Sequence, residues 1–177
     1  MDSRARLAAL RAEVAGRGLD GFIIPRADEH LGEYVPPRAQ RLAWLTGFTG
    51  SSGIAVVLPE AAAIFVDGRY TLQVREEVDE TLFTPRHLTE EPPEAWIEKH
   101  LNAGQTLGFD PWLHSENQVS SLRAAAEQAA GELVAVDGNP LDAVWPDQPA
   151  PPSAPVAPHP LDYAGRPSSE KRDELAR

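Results

Sequence analysis

The strongest constraint on the fold is a pair of short apolar runs that lie close together in the chain. Gly53–Leu58 and Ala62–Val66 are separated by the Pro59-Glu60 turn, and each has the length and branched-residue content of a buried strand. A glycine-rich corner at residues 47–53 leads into the first run, and Asp67-Gly68-Arg69-Tyr70 follows the second run and is predicted to open a helix. We therefore predict that this hairpin lies at the centre of a sheet, with Arg69 at the sheet's edge.

Helical and strand patterns alternate along the rest of the first 145 residues. The predicted helices begin near Ser3, Gln40, Asp67, Pro92 and Ser115, and the further predicted strands are residues 22–24, 81–86, 106–109 and 133–136. The Ser115–Gln118 sequence is a capping-box pattern for the last of these helices. The four tryptophans are expected to pack in the core: Trp44, Trp96, Trp112 and Trp145. Such alternation favours an α/β fold, a mixed sheet with helices on both faces and the hairpin as its antiparallel part.

The composition changes sharply after residue 145. Seven of the fifteen residues from Pro146 to Pro160 are proline, which is typical of a stiff, extended linker. Residues 161–177 begin another helix at Ser168 or Ser169, but Leu175 is the only large apolar residue of that helix. We therefore expect three parts: an α/β domain at 1–145, a linker at 146–160, and the truncated start of a second domain at 161–177.

Charge and composition exclude several functional classes. The 177 residues include 27 acidic and 16 basic side chains, a formal charge of -11, and the arginines are scattered. Such a field repels phosphate backbones, so we expect no nucleic-acid partner. The chain has no cysteine and no apolar run near the ~18 residues that a membrane span needs. We expect a cytoplasmic protein that has no membrane partner.

Few residues suggest catalysis by the chain itself. The five histidines show no metal-ligand spacing, and the Ser51-Ser52 corner leads into a strand rather than from a strand into a helix, unlike a nucleophile elbow. Asp67 and Asp110 follow predicted strands and could hold a metal ion as in a nuclease. Helix capping by Asp67 and a turn at Asp110 explain both residues more simply.

Arg69 is the strongest single candidate for a functional residue. A guanidinium in the first turn of a helix lies against the positive end of the helix dipole, so local electrostatics do not favour it there. Its planar fork suits a carboxylate or a peptide carbonyl. An ion pair with a neighbouring acidic residue is the alternative, and the residues by themselves favour that alternative.

Several segments together resemble a known family. ADEHLGEYVPP (27–37), RLAWLTGFTGSSGIAVV (41–57), FVDGRYTLQV (65–74), LGFDPWLHS (107–115) and NPLDAVWPDQP (139–149) are similar to the N-terminal domain of cytosolic three-domain Xaa-Pro aminopeptidases. These belong to the creatinase/prolidase, or pita-bread, metallopeptidases. The resemblance implies a ribonuclease H-like mixed sheet, and residues 161–177 resemble the entry to the family's middle domain.

The resemblance also implies a division of labour between domains. In the family, a separate catalytic domain binds two divalent ions, usually manganese, through two Asp, one His and two Glu, and removes an N-terminal residue that precedes proline. Those ligands would lie after residue 177, so this chain by itself is expected to bind no metal and to be inactive. The Arg of DGRY is similar to a substrate-binding residue, which makes Arg69 the one predicted site residue. His30, Glu33 and Tyr34 keep their places in the family pattern and are interpreted as structural residues near the cleft.

The resemblance therefore implies a non-catalytic N-terminal domain that caps an active-site cleft and helps to bind peptide. Its expected partners are a peptide with proline in second position, its own catalytic domain, and a second subunit in a homodimer. A stand-alone binding or assembly module without peptidase activity is the alternative, and a nuclease that uses Asp67 and Asp110 is a third, weaker one.

Overall fold

A six-stranded mixed sheet organises the computed structural model, which describes residues 1–177. The strands, in sheet order β4-β3-β2-β1-β5-β6, are β1 (Gly21–Pro25), β2 (Gly53–Val57), β3 (Ala62–Val66), β4 (Thr84–His87), β5 (Thr106–Phe109) and β6 (Glu132–Ala135). The helices are α1 (Ser3–Gly16), α2 (Arg41–Thr46), α3 (Gln73–Glu77), α4 (Pro93–His100), α5 (Glu116–Gln128), α6 (Pro140–Val144), α7 (Leu161–Ala164) and α8 (Ser168–Leu175). The α/β fold class predicted from the sequence is confirmed.

The predicted hairpin is the antiparallel part of this sheet. Strands β2 and β3 pair in the register Gly53↔Val66 to Val57↔Ala62, and β2 also pairs antiparallel with β1. All the other pairings are parallel. Because β2 and β3 are interior strands, their backbone groups are bonded on both sides, and the run of apolar residues can be buried on both faces.

Helices cover both faces of the sheet, as predicted. Alternate residues of a strand point to opposite faces, so Ile24 packs with α1, α2 and α6 while Ile23 packs with α4 and α5. The two resulting apolar clusters contain 18 and 14 buried residues, which means that the central strands are shielded from water on both faces.

Three local predictions are wrong by a few residues. The first helix is capped by Asp2, whose carboxylate accepts a hydrogen bond from the Ala5 N–H at 2.8 Å, and not by Ser3. Strand β4 begins at Thr84 rather than at Thr81, because Thr81 is held in a turn by its hydrogen bonds to Asp79. Asp67 caps a single 3-10 turn, and the α-helix that follows begins only at Gln73.

Trp112 does not pack in the core. It lies in a 3-10 turn, Pro111–Leu113, that buries Leu113 and leaves Trp112 75% exposed. The other three tryptophans do contact the core, and Trp44 stacks on Trp145 with ring centroids 5.2 Å apart.

The C-terminal residues contribute little to this core. The proline-rich residues 150–160 contain no helix or strand and are exposed, and neither α7 nor α8 has a buried residue. The division into domain, linker and second-domain start stays a prediction. No helix has the combination of length and apolar character that crossing a membrane requires.

Candidate functional site

One edge of the sheet brings the candidate residues together. Strands β1, β3, β4, β5 and β6 run in the same direction, so their carboxyl ends share this edge. Asp67 follows β3 and Asp110 follows β5, and the glycine-rich corner enters the same edge as it leads into β2. Polar side chains at the carboxyl ends of strands are where α/β folds most often bind ligands.

Asp67 and Arg69 form a closed pair at this edge. The Arg69 Nη2 and the Asp67 Oδ2 are 2.7 Å apart, and Arg69 Nε donates to Asp67 Oδ1 at 3.1 Å. The Arg69 backbone N–H donates to the same Oδ1 at 2.9 Å, since Asp67 is also the cap of the 3-10 turn. The ion pair that the sequence offered as an alternative is therefore present, yet the Arg69 side chain is still 66% exposed.

The pair is braced by the glycine-rich corner. The Ser52 side chain is near enough to Asp67 to help lower its pKa, and the Tyr70 hydroxyl lies 2.6 Å from Ser51 Oγ. The Arg69 guanidinium lies 5.1 Å from the centroid of the Tyr70 ring, within the range of a cation–π contact. The corner and the DGRY turn thus support each other.

Electrostatics at the pair favour the charged forms of both groups. Hydrogen bonds from the Arg69 side chain, followed by its backbone N–H and its charge, lower the pKa of Asp67 to about 2. The same hydrogen bond and charge raise the pKa of Arg69, and Glu33 adds a smaller attraction. Arg69 is thus held as a cation with a fixed orientation.

Three residues of the neighbouring DEHLGEY segment that were predicted to be structural are exposed to solvent: His30, Glu33 and Tyr34. His30 and Tyr34 have side chains that are 81% and 92% exposed, so neither contributes packing to the fold. The Glu33 carbonyl accepts hydrogen bonds from Arg26, whereas its carboxylate stays free to attract Arg69. The structural part of the segment is Asp28, which is buried and accepts hydrogen bonds from the His30 and Gly32 N–H groups.

The two strand-end carboxylates do not form a metal centre. Asp110 is buried, accepts a hydrogen bond from Asn139 Nδ2 at 2.9 Å and caps its own turn through Trp112 N, while Asp67 is paired with Arg69. No group of three or more His, Asp or Glu residues is placed to hold an ion. The side chains of this chain do not fit a dinuclear metal site.

A cavity opens beside the Asp67–Arg69 pair. Its volume is about 660 Å³, within the usual range for ligand pockets. It is lined by the loop after β1, the serines of the glycine-rich corner, Leu88 after β4, and the starts of α4 and α5. Ser52 lines the cavity and is also near Asp67, although neither Asp67 nor Arg69 is itself a lining residue.

His114 is a buried member of this cavity that sequence reasoning did not single out. Its Nδ1 lies 2.9 Å from the Asp110 carbonyl oxygen, and its Nε2 is buried without a hydrogen-bond partner. Burial lowers the pKa of His114, so the ring is neutral near pH 7. A histidine that follows a strand end and precedes a capping box was the only sequence signal available.

The fold is that of a known domain family. The family model of the creatinase/prolidase N-terminal domain matches residues 6–144. The chain belongs to this family, which confirms the resemblance drawn from the DGRY and glycine-rich segments.

Individual proteins of known name or structure are also similar to this chain. A probable Xaa-Pro aminopeptidase P of Ajellomyces dermatitidis is 35% identical over 178 residues, which cover 99% of this chain and 29% of that protein. A crystal structure of X-prolyl aminopeptidase from Caenorhabditis elegans, described as a cytosolic enzyme with a di-nuclear active site, matches 99% of this chain and 30% of its own. The TM-score of that match is 0.86 and the identity is 26%.

A third match concerns the domain by itself. The crystal structure of the N-terminal domain of the cytoplasmic peptidase PepQ from Mycobacterium tuberculosis aligns with 79% of this chain. The alignment covers 98% of the PepQ domain, with 25% identity and a TM-score of 0.61. The present chain spans less than a third of the length of the aminopeptidase relatives that it matches.

Proposed function

We propose that this domain is the non-catalytic N-terminal part of an Xaa-Pro aminopeptidase, where it caps the active-site cleft and binds the peptide through Arg69. The observation that carries the proposal is an exposed, permanently charged guanidinium held in place at the carboxyl edge of the sheet. The names and lengths of the relatives support the larger enzyme as its context.

The geometry of Arg69 suits a clamp. The pairing with Asp67 uses Nε and Nη2, whereas Nη1 makes no hydrogen bond. Nη1 carries two N–H donors that can reach a peptide carbonyl or a carboxylate. Because Asp67 already fixes the guanidinium, less side-chain entropy is lost when a peptide binds.

Catalysis is assigned to a separate domain. The chemistry that two divalent ions, expected to be manganese, supply in such a domain is the activation of water for attack on the peptide bond. The role of this chain is to bind and orient the substrate and to exclude water from the cleft. In the same proposal, this domain contacts the catalytic domain of its own polypeptide and a second subunit.

The first test is made on the 177-residue chain itself. We expect no release of the N-terminal residue from an Arg-Pro-Pro peptide in the presence of Mn²⁺. Turnover that survives repurification would overturn the assignment of catalysis to another domain.

The second test compares two arginines in a polypeptide that also carries the catalytic domain. Arg69→Ala is expected to lower kcat/KM by about ten- to a hundredfold, since a charge-assisted hydrogen bond contributes roughly 1.5–3 kcal/mol. Arg75→Ala is the control, because Arg75 is also exposed and forms an ion pair, with Glu80 at 3.2 Å. Equal kcat/KM values for the two variants would refute the clamp.

A further inference from the structure

We infer that the cavity beside the Asp67–Arg69 pair is a binding site for an uncharged, extended peptide segment, one of whose backbone N–H groups donates a hydrogen bond to His114 Nε2. The proposal goes beyond the role given to Arg69 and does not depend on it. It rests on the state of His114, on the groups that line the cavity, and on the size of the cavity.

The hydrogen bonds of His114 define which atom is available. A backbone carbonyl can only accept, so Nδ1, which lies 2.9 Å from the Asp110 carbonyl oxygen, must carry the ring proton. In a neutral ring Nε2 is then an acceptor with a free lone pair. His114 is only 8% exposed, and Nε2 has no partner. A buried acceptor without a partner is unfavourable. Because Nε2 is closed off from solvent, a donor in the cavity reaches it only when the lining moves slightly, and it then satisfies this acceptor.

The lining favours an uncharged ligand. Arg26 and Glu94 both border the cavity, so opposite charges offset each other there. An anion would face the lone pair of Nε2 and the carboxylate of Glu94, within a chain of net charge -11. The cavity therefore favours neither a cation nor an anion, and a neutral hydrogen-bond donor is the group that matches His114 Nε2.

The remaining lining groups match a peptide backbone. The Gln118 side-chain amide accepts from Ser115 through Oε1, while its Nε2 makes no hydrogen bond and can donate to a carbonyl. Leu31, Leu88 and Leu113 supply apolar walls for side chains. A peptide presents N–H donors, carbonyl acceptors and apolar side chains together, and about 660 Å³ accommodates a few residues.

The test uses the blocked tripeptide N-acetyl-Ala-Leu-Ala amide, which has no charge for Arg69 to bind. Binding to the 177-residue chain is followed by backbone amide shifts, and the His114 Nε2 resonance is followed in long-range imidazole spectra. We expect saturable shifts confined to the cavity and a change at Nε2. Absence of shifts up to millimolar peptide would overturn the proposal.

A matched pair of variants assigns the acceptor. His114→Asn keeps a side-chain N–H near the position of Nδ1, for the Asp110 carbonyl, but removes Nε2, and it is expected to weaken binding by about tenfold. His100→Asn is the control, because His100 Nδ1 makes the same kind of contact with the Trp96 carbonyl at 2.8 Å and His100 does not line the cavity. Equal binding by the two variants would refute the role of His114.

If His114→Asn does not fold, the proposal can still be tested by a comparison of two peptides, the blocked tripeptide and its N-methylated form. Methylation of the backbone nitrogens of the tripeptide removes its N–H donors without a change in the protein, and it is expected to abolish the Nε2 response. Retained binding of the methylated peptide, or binding of ethylammonium or glycerol in its place, would overturn the peptide assignment.

Discussion

Removal of the Asp142 carboxylate should destabilise the domain far more than the loss of an ordinary surface ion pair. Arg41, at the start of α2, donates through Nε and Nη2 to the two Asp142 oxygens of α6, each at 2.7 Å. Arg41 is only 8% exposed and its Nη1 is buried without a partner. In Asp142→Ala the guanidinium would therefore remain in the protein interior without a counter-charge.

The size of the effect follows from this burial. Removal of one partner of a buried pair costs about 3–5 kcal/mol, and partial exposure of Asp142 lets water screen the stranded charge, so we expect about 2–4 kcal/mol. For a chain of this length a loss of about 3 kcal/mol lowers the Tm by about 6–12 °C. Gln148 would lose its bond to Asp142 Oδ1 as well.

Urea unfolding followed by tryptophan fluorescence provides the measurement, because Trp145 adjoins α6 and stacks on Trp44. Glu80→Ala is the control, since the Arg75–Glu80 pair is 59% and 46% exposed and should contribute less than about 1 kcal/mol. Replacement of both partners, Arg41→Met with Asp142→Leu, should recover much of the loss because no charge is left stranded. The reasoning is refuted if Asp142→Ala loses no more stability than Glu80→Ala.

Two further predictions concern local electrostatics and capping. The pKa of Asp67, about 2 in the folded protein, lies below its ordinary value, so the stability from this pair should be complete above about pH 4 and fall as the pH drops through 2. In Arg69→Ala, the pKa of Asp67 measured by NMR titration should rise toward its ordinary value. An unchanged pKa would exclude Arg69 as the cause of the lowering. Ser115→Ala should cost about 1 kcal/mol through loss of the observed capping box, whereas Ser120→Ala, in the body of the same helix, should cost less in the same urea experiment.

The parts of the fold that depend on neighbouring residues could be predicted from the sequence. The residues that pair in the β2–β3 hairpin are close together in the sequence, and so are those of the Ser115–Gln118 capping box. Local pattern and propensity are therefore enough to predict both features. The glycine corner is similar: Gly47 has φ +88°, and a Cβ there would lie 2.9 Å from the Glu77 carbonyl oxygen. A positive φ with a close backbone approach explains why glycine occupies that position.

Contacts between residues that are far apart in the sequence could not be predicted from local pattern. Arg41 and Asp142 are 101 positions apart, and neither stands out from the other charged residues until the fold joins α2 to α6. The residue type of Trp112 favours a core position, yet the Pro111–Leu113 turn buries Leu113 and leaves Trp112 exposed. The cavity was also invisible, since its lining comes from several loops and two helix starts that only the sheet brings together.

The ion pair and the substrate clamp, which the sequence presented as alternatives for Arg69, are compatible in the structure. Asp67 takes one edge of the guanidinium, through Nε and Nη2, and leaves Nη1 unbonded. A flexible arginine would have to lose side-chain freedom on binding a peptide, whereas this one is already fixed by Asp67 and by contact with the Tyr70 ring. Asp67 therefore orients the cation that the proposed function requires, and Asp67→Asn should weaken peptide binding in the same direction as Arg69→Ala, though by less.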